Sequence, residues 1–290
     1  MNQNGVSLTG DQRGPAFSRF VGPFEFVDIG AVEAPFLPIG VDLIVDSTAD
    51  GIDGDLSAGE FTLREAITIA NSQGGAEVIT IDSSLSGSTI TLNEGELFIS
   101  EDVSIHGPSG HVTIDAQQNS RVIRASSAVG NLVLDSLTIT GGLTAGLAQN
   151  GGGILFEGPS GSTLDITNTE ISNNRTTGIS AFGGGIHLLS GDLVLTDSLV
   201  SGNSVSGVLS EGGAVSAADG SVTLVNTTLH GNVSSQSAGG IFLDTADLSL
   251  TNSTVAGNTA ANSGGGFSFE PGGNVEIFNS IVAGLSLIHI

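Results

Sequence analysis

The feature that most constrains this chain is a sequence pattern that recurs along its second half. Each copy alternates apolar and polar residues and ends in a Gly or Asn turn, and the copies begin at Leu134, Ile166, Leu195, Leu224, Leu250 and Ile277. A second, Gly-rich pattern lies between them and begins at Gly151, Gly183, Gly212, Gly239 and Gly264. A period of 26 to 32 residues is typical of a solenoid, whose units bury their apolar faces only against their neighbours.

Each unit is predicted to contain two or three short strands. The alternation has a period of two, as in Leu193 and Leu195, which indicates one buried and one solvated face. Leucine-rich or ankyrin arrays would need a helix in every unit, and these units are too rich in Gly, Thr and β-branched residues for that. The pattern therefore predicts an all-β fold, a parallel β-helix with about 4.8 Å between successive coils.

Asn and Asp recur in register with the repeat. One set comprises Asp135, Asn168, Asp197, Asn226, Asn252 and Asn279, and a second set, six residues further on, comprises Asn174, Asn203, Asn232 and Asn258. A ligand-binding ladder is one interpretation. We favour a structural one, because Asn tolerates left-handed backbone torsions at corners and can stack its amide on the next coil.

Composition and charge limit the classes of partner that the chain can bind. The chain has 290 residues and no Cys, and its six basic residues, all Arg, stand against 30 acidic ones, for a net charge of -24. Such a chain repels nucleic acid and anionic membrane surfaces. No apolar run is long enough for a transmembrane helix, so any membrane attachment would come through an anchor outside this segment. Met1–Gly14 does not have the pattern of a secretory signal, and we expect the natural N-terminus to lie upstream.

A helix is predicted ahead of the repeats. Thr62 and Glu65 have the spacing of a capping box, and Leu63, Ala66 and Ile67 then share one apolar face, before Asn71 to Gly75 end the helix. We expect this short N-terminal capping helix to cover the first coil of the solenoid.

The stretch IVDSTADGIDGDLSAGEFTLREAITIAN, within Val41 to Ile81, resembles the CSLREA domain. That module precedes right-handed β-helices of the pectate-lyase-like superfold in large bacterial surface proteins. Leu63 to Ala66 match the LREA core, and Phe61 stands where the family usually has Cys. The resemblance covers roughly Val41 to Ile123. It implies a right-handed β-helix and an extracellular or cell-surface location, on the outer membrane of a bacterium, with polymorphic outer-membrane or adhesin-like repeats downstream.

The resemblance also suggests a division of the chain. The segments DQRGPAFSRF and VDIGAVEAP resemble the closing motif that such proteins place after a β-helix. We therefore interpret residues 1–39 as the closing segment of a preceding module with its linker, in a parent chain of tandem β-helix modules. Residues 40–130 would be the CSLREA-like cap and first coils, residues 131–284 the β-helix repeats, and residues 285–290 a non-native truncated tail.

One acidic stretch is a candidate calcium site. Its oxygen ligands would be Asp46, Asp50, Asp53, Asp55 and Glu60. The spacing is not that of an EF-hand, since Ala58 and Arg64 stand where the loop Gly and the bidentate Glu would be. A solvated acidic loop is the alternative. Calcium is the only cofactor that the sequence suggests.

The motifs predict no catalytic residues. The chain has no Lys, none of the paired motifs of β-helical polygalacturonases, and no phosphate loop or nucleophile elbow. His187 lies in a predicted strand without a neighbouring His or Cys, so we predict no metal centre there. The favoured function is a non-enzymatic β-helical stalk or adhesin that presents polar faces to a glycan or a surface protein. The alternative, a carbohydrate-active enzyme or glycan-binding module, would require a non-repeating cluster of charged or aromatic residues on one coil face.

Overall fold

The computed structural model describes Gly10–Asp11, Gly14–Ser18 and residues 42–286. The chain divides into two compact units, Met1–Gly40 and Val41–Ile290. In the first unit, Gly10–Asp11 and Gly14–Ser18 form an antiparallel pair, with Gly10 opposite Ser18. The rest of the predicted closing segment 1–39, and residues 287–290 of the predicted tail, lie outside the described residues.

The second unit is a parallel β-solenoid whose coils build four sheets. Sheet 1 contains nine strands: Leu43–Val45, Glu77–Ile81, Val103–His106, Asn131–Asp135, Thr163–Thr167, Asp192–Thr196, Ser221–Val225, Asp247–Thr251 and Val275–Phe278. Sheet 2 contains eight: Thr89–Thr91, Val112–Asp115, Leu137–Thr140, Glu170–Ser172, Leu199–Ser201, Thr228–His230, Thr254–Ala256 and Ile281–Ala283. The predicted parallel all-β solenoid is confirmed.

The remaining two sheets complete each coil. Sheet 3 contains Leu143–Ala145, Arg175–Thr177, Ser204–Ser206, Val233–Ser234 and Thr259–Ala260. Sheet 4 contains Leu97–Ile99, Ile123–Ala125, Ile154–Phe156, Ile186–Leu188, Val215–Ala217, Ile241–Leu243 and Phe267–Phe269. A complete coil thus has four strands where the alternation predicted two or three. Several strands are only two or three residues long, too short for a pattern of period two to separate them.

The core is a set of apolar columns that run along the solenoid. Leu134 of sheet 1 pairs with Ile166, which pairs with Leu195, then Leu224 and Leu250, and all five side chains are fully buried. Like residues therefore stack on like residues at the spacing of neighbouring strands. Because every strand is only a few residues long, this column packing provides the stability that no single coil could have.

The second Asn set forms a ladder inside the solenoid, between sheets 2 and 3. Asn174, Asn203, Asn232 and Asn258 are fully buried. The Asn203 Nδ2 donates to Ile171 O at 2.8 Å and to Asn232 Oδ1 at 3.1 Å, while its Oδ1 accepts from the backbone N of Asn174 at 3.0 Å. Each amide thus satisfies polar groups on two coils, which confirms the structural interpretation of this set.

The first Asn set marks the corner between sheets 1 and 2. Asn168, Asp197, Asn226, Asn252 and Asn279 have φ between 46° and 53°, the left-handed region that Asn tolerates best. The assignment of Asp135 to this set was wrong. Asp135 pairs with Thr167, and the left-handed residue of that coil is Ser136, because the alignment had been placed one residue early.

The predicted helix is present as Leu63–Gln73, with Thr62 as N-cap and both hydrogen bonds of the capping box. It packs against the first strands of sheets 1 and 4. Its polar residues hydrogen-bond to the first strand of sheet 4 and to the residues just before it, because Asn71 Nδ2 donates to Phe98 O at 2.8 Å and Arg64 donates to Gly95 O at 2.7 Å. The helix thereby covers an edge that would otherwise expose unpaired backbone groups. Among the described residues, no helix is long and apolar enough to cross a membrane.

In the five coils that contain a sheet 3 strand, coil length varies only around sheet 4. From Asn131 to Leu143, twelve residues separate the start of a sheet 1 strand from the start of the next sheet 3 strand, and the same spacing holds in the four following coils. The step from sheet 3 to sheet 4 is eleven residues in the first three of these coils and eight in the next two. The longer connections stack on one another, as when Ala148 N donates to Ile179 O at 3.0 Å.

Candidate functional site: a cleft on the outer face of sheet 4

The outward-facing row of sheet 4 does not repeat. The central residues of its strands are in register and run Phe98, Arg124, Leu155, His187, Ser216, Phe242 and Ser268. On the first six strands their neighbours, such as Ile123 and Ala125, point into the core and are buried. A row in which the residue type changes at every coil differs from the columns of like residues that build the core.

A cleft of about 480 Å³ opens over this row. One wall is formed by the residues that lead from sheet 3 to sheet 4 after Leu143, and the floor by sheet 4 itself. The lining residues are Glu96, Ser120, Arg121, Arg124, Leu143, Thr144, Ala145, Ala148, Gln149, Asn150, Leu155, Glu157, His187 and Leu189. A concave site of this size with a few convergent polar groups is the usual form of a ligand pocket.

Arg121 is the most buried charge of the cleft. Its side chain is 7% exposed and forms an ion pair with Glu96 through Nη1. Its Nε donates to Asn150 O at 3.1 Å and to Gly151 O at 2.9 Å, which fixes the position of the cleft wall. Burial lowers the pKa of Arg121, and the adjacent Glu96 opposes that shift. The guanidinium therefore stays charged and links the wall to Glu96.

Arg124 forms the second ion pair, nearer to solvent. Its Nε and Nη2 both lie 2.9 Å from Glu157 Oε2, and its side chain is 40% exposed. The hydrogen bond that Arg124 donates to Glu157 raises the pKa of Arg124. The guanidinium carbon lies 5.6 Å from the centroid of the Phe98 ring, within the range of a cation–π contact. Arg124 thus presents its remaining N–H groups at the rim of the cleft.

His187 differs from the other polar residues of the cleft because it has an unsatisfied atom. Its side chain is buried, and its Nδ1 has no hydrogen-bond partner among the described residues. Burial, with a smaller contribution from the charge of Arg121, lowers the pKa of His187 to about 4. The imidazole is therefore neutral at neutral pH. Phe182 stacks on it at 6.0 Å between centroids, and the same ring stacks on Phe242 at 6.1 Å.

The acidic stretch that the sequence proposed for calcium has other partners. Asp46 accepts hydrogen bonds from the backbone N atoms of Gly59 at 2.7 Å and Phe61 at 3.0 Å. Asp50 is buried and forms a two-point ion pair with Arg64 at 2.6 and 3.1 Å. Asp46 thus bonds to the end of the loop just before the helix, and Asp50 holds the loop to the helix through Arg64.

The other three acidic residues lie on the exposed part of the same loop. Asp53 and Asp55 each accept a hydrogen bond from the backbone N two residues on, at 2.8 and 3.0 Å, and Glu60 is exposed. Among the described residues, no group of three or more acidic or His side chains is placed to hold a metal ion. As positioned, these donors do not fit a calcium site, and calcium binding stays a prediction from the sequence.

Sequence reasoning missed the cleft. Its charged residues come from three coils, with Glu96, Arg121 and Glu157 separated by 25 and 36 positions in the chain. The one available signal was that five of the six arginines precede residue 130 and that two of them, Arg121 and Arg124, lie just before and within one strand. The prediction about His187 concerned metal binding only, and its burial beneath Phe182 follows from the chain path rather than from any local pattern.

Comparison with known proteins identifies a family. The family model for the right handed beta helix region matches residues 44–286, which is most of the chain and nearly the whole of the solenoid. No curated protein and no solved structure matches the chain. The parallel coils, the interior Asn ladder and this match agree with one another, and the chain belongs to the right-handed β-helix family.

Proposed function

We propose that this chain is a segment of an extracellular or cell-surface protein, adhesin-like in character, that binds a glycan in the cleft on sheet 4 without cleaving it. The observation that carries the proposal is the non-repeating cluster of Glu96, Arg121, Arg124, Glu157 and His187 on an otherwise repetitive scaffold. Its composition fits a saccharide, because sugars are bound by combinations of charged hydrogen-bonding groups, amides and apolar surface.

The scaffold supports a binding role. Its strands are in register through every coil, and its interior polar atoms are satisfied by the Asn ladder, so the outer faces are held in fixed positions. A rigid cleft loses little conformational entropy when a ligand binds. A stiff solenoid with one non-repeating cleft is therefore suited to holding a ligand away from the surface to which it is attached.

A second function, cleavage of a polysaccharide, has one observation in its favour. Glu96 and Glu157 line the same cleft, and glycosidases use a pair of carboxylates on either side of the scissile bond. Here, however, each carboxylate is engaged by an arginine, Glu96 by Arg121 and Glu157 by Arg124. A general acid is normally a carboxyl group without such a partner. Binding is therefore the function that this geometry favours.

The test combines a glycan array with a depolymerisation assay on the same polysaccharides. We expect binding without new reducing or unsaturated ends, and at least a tenfold loss of affinity in Arg124→Ala. Arg175→Ala is the matched control, because Arg175 is exposed on sheet 3 and does not line the cleft. New chain ends in any polysaccharide would overturn the non-enzymatic role and favour the carboxylate pair.

A further inference from the structure

The cleft contains a buried nitrogen that the described residues of the chain leave unpaired. Nδ1 of His187 is inaccessible to solvent and lacks a partner, although its side chain lines the cleft. Buried polar atoms are nearly always hydrogen-bonded, since leaving one unpaired costs the full desolvation of that atom. A ligand hydroxyl in the cleft can supply the missing bond once a turn of the imidazole brings Nδ1 to the cleft surface.

We infer that the cleft selects a neutral, hydroxyl-bearing sugar unit, one hydroxyl of which forms a hydrogen bond with the His187 imidazole. This inference rests on the proposed function and adds the class of ligand and the residue that anchors it.

The charge of the cleft is balanced before any ligand enters. Arg121 is paired with Glu96, and Arg124 with Glu157. His187 adds no charge at neutral pH, because burial and Arg121 hold its pKa near 4. The chain as a whole carries a net charge of -24 and repels a polyanion at long range. A uronate polymer would therefore approach a surface of like charge and find no unpaired cation to neutralise its carboxylates.

The hydrogen-bonding capacity of a neutral imidazole matches a hydroxyl. Either ring nitrogen can be the donor or the acceptor, depending on the tautomer, and a hydroxyl can act in both ways. Arg121 lies close enough to lower the pKa of His187, and its guanidinium is itself held by Glu96, Asn150 and Gly151. The imidazole is thus an uncharged polar group beside a cation that is already paired. Such a site favours a neutral polar group of the ligand, such as a hydroxyl, over a charged one.

The shape of the cleft suits a pyranose ring. Leu143, Leu155 and Leu189 line it together with the polar residues, so part of its surface is aliphatic. Sugars have C–H faces that pack on such surfaces while their hydroxyls point outward to polar groups. Gln149 and Asn150 from the connecting wall lie among these polar groups. A volume of about 480 Å³ falls within the usual range for a ligand site.

The test is isothermal titration calorimetry on the full chain with defined tetrasaccharides. Cellotetraose, xylotetraose, mannotetraose and chitotetraose are the neutral probes, and tetragalacturonate is the acidic one. We expect at least one neutral probe to bind at least tenfold more tightly than tetragalacturonate. His187→Leu should lower that affinity by at least tenfold, and His187→Gln, which keeps an amide in place of the ring, by less.

His230→Leu is the matched control. His230 is exposed on sheet 2, and its Nδ1 lies 3.0 Å from Ala256 O rather than in the cleft. This variant should bind as the unmodified chain does. If His187→Leu fails to fold, the nitrogen-15 signals of the His187 ring in the unmodified chain provide the second measurement. They should shift when the neutral probe binds, and an unchanged ring would overturn the inference.

The outcomes separate this inference from the proposed function. Neutral-glycan binding that His187→Leu leaves intact would overturn the anchoring role and leave the glycan-binding function standing. Tighter binding of tetragalacturonate would overturn the ligand class alone. New chain ends in the titrated samples would overturn the non-enzymatic function, whereas a failure of every glycan in the array and every tetrasaccharide to bind would overturn both.

Discussion

The Asn ladder and the outer row of sheet 4 are two columns of the same solenoid. Both advance by one residue per coil, and both are held by the same in-register strands. In the ladder the residue is the same in four successive coils, and each amide bonds to the next. In the row on sheet 4 it changes from Arg124 to Leu155 to His187 to Ser216, and one of these side chains has an unpaired atom.

The difference shows what repetition does in this fold. A residue that repeats satisfies its neighbours on both sides, so it stabilises the stack and has no capacity left for a ligand. A residue that breaks the repeat gives up such a partner and keeps hydrogen-bonding capacity for something else. In this solenoid, the repeating columns identify the scaffold and the non-repeating row identifies the candidate site.

The largest effect should come from breaking the ladder. Asn203→Leu would leave Asn174 N without its acceptor and would remove the bonds that Asn203 Nδ2 donates to Ile171 O and Asn232 Oδ1 inside the core. We expect a loss of about 4 kcal/mol in the free energy of unfolding, since each buried polar group left unpaired costs about 1–3 kcal/mol. Urea unfolding followed by circular dichroism measures it. Asn262→Ala, on an exposed Asn, is the control, and equal effects of the two would contradict the role of the ladder.

The row on sheet 4 should make stability depend on pH through His187. The pKa of this imidazole is lowered from 6.5 to about 4 in the folded chain, so between these values the unfolded state binds more protons. Above pH 6.5 the imidazole is neutral in both states and does not reduce the free energy of unfolding. As the pH falls from 6.5 to 4, we expect the free energy of unfolding to decrease by about 3 kcal/mol. His187→Leu should lack this component. Parallel loss of stability in the two proteins from pH 6.5 to 4 would contradict it.

The two ion pairs of the cleft should differ in strength. Glu96→Gln removes the carboxylate beside the buried Arg121, and we expect a loss of about 2 kcal/mol in the free energy of unfolding. Glu157→Gln is the matched variant at the exposed Arg124 and should cost less than about 1 kcal/mol. Thermal or urea unfolding of both proteins makes the comparison. A larger effect of Glu157→Gln would contradict the expectation that the more buried ion pair contributes more to stability.

The corner residues should show the smallest effect. Asn226 has φ of 51°, and its Nδ2 donates to Asp197 Oδ1 at an exposed site. Asn226→Ala should cost about 1 kcal/mol, because Ala tolerates this conformation less well. Asn226→Gly should be close to neutral, since Gly accepts the same torsion freely. Both variants lose the hydrogen bond to Asp197, so an equal loss of stability in the two would show that this bond, and not the torsion, governs the corner.

The sequence predicted most of the scaffold. The capping box of Thr62 and Glu65 is local, so its pattern sufficed, and the recurrence of Asn every 26 to 29 residues predicted the ladder. The four sheets and the cleft could not be predicted in this way. Their determinants are three-residue strands and contacts between coils, such as Arg121 with Glu96 and Phe182 with His187, which depend on how many residues each corner contains.

The constant spacing of twelve residues from sheet 1 to sheet 3 has a consequence for how such a chain can change. Loss of one residue in that segment would turn the following apolar side chains away from the core and move the Asn amide out of its stack. Beside sheet 4, by contrast, successive coils already differ by three residues without a break in the sheets. From Asn131 onward the solenoid is thus divided lengthwise into a side of fixed length and a side on which loops of new sequence can be introduced coil by coil.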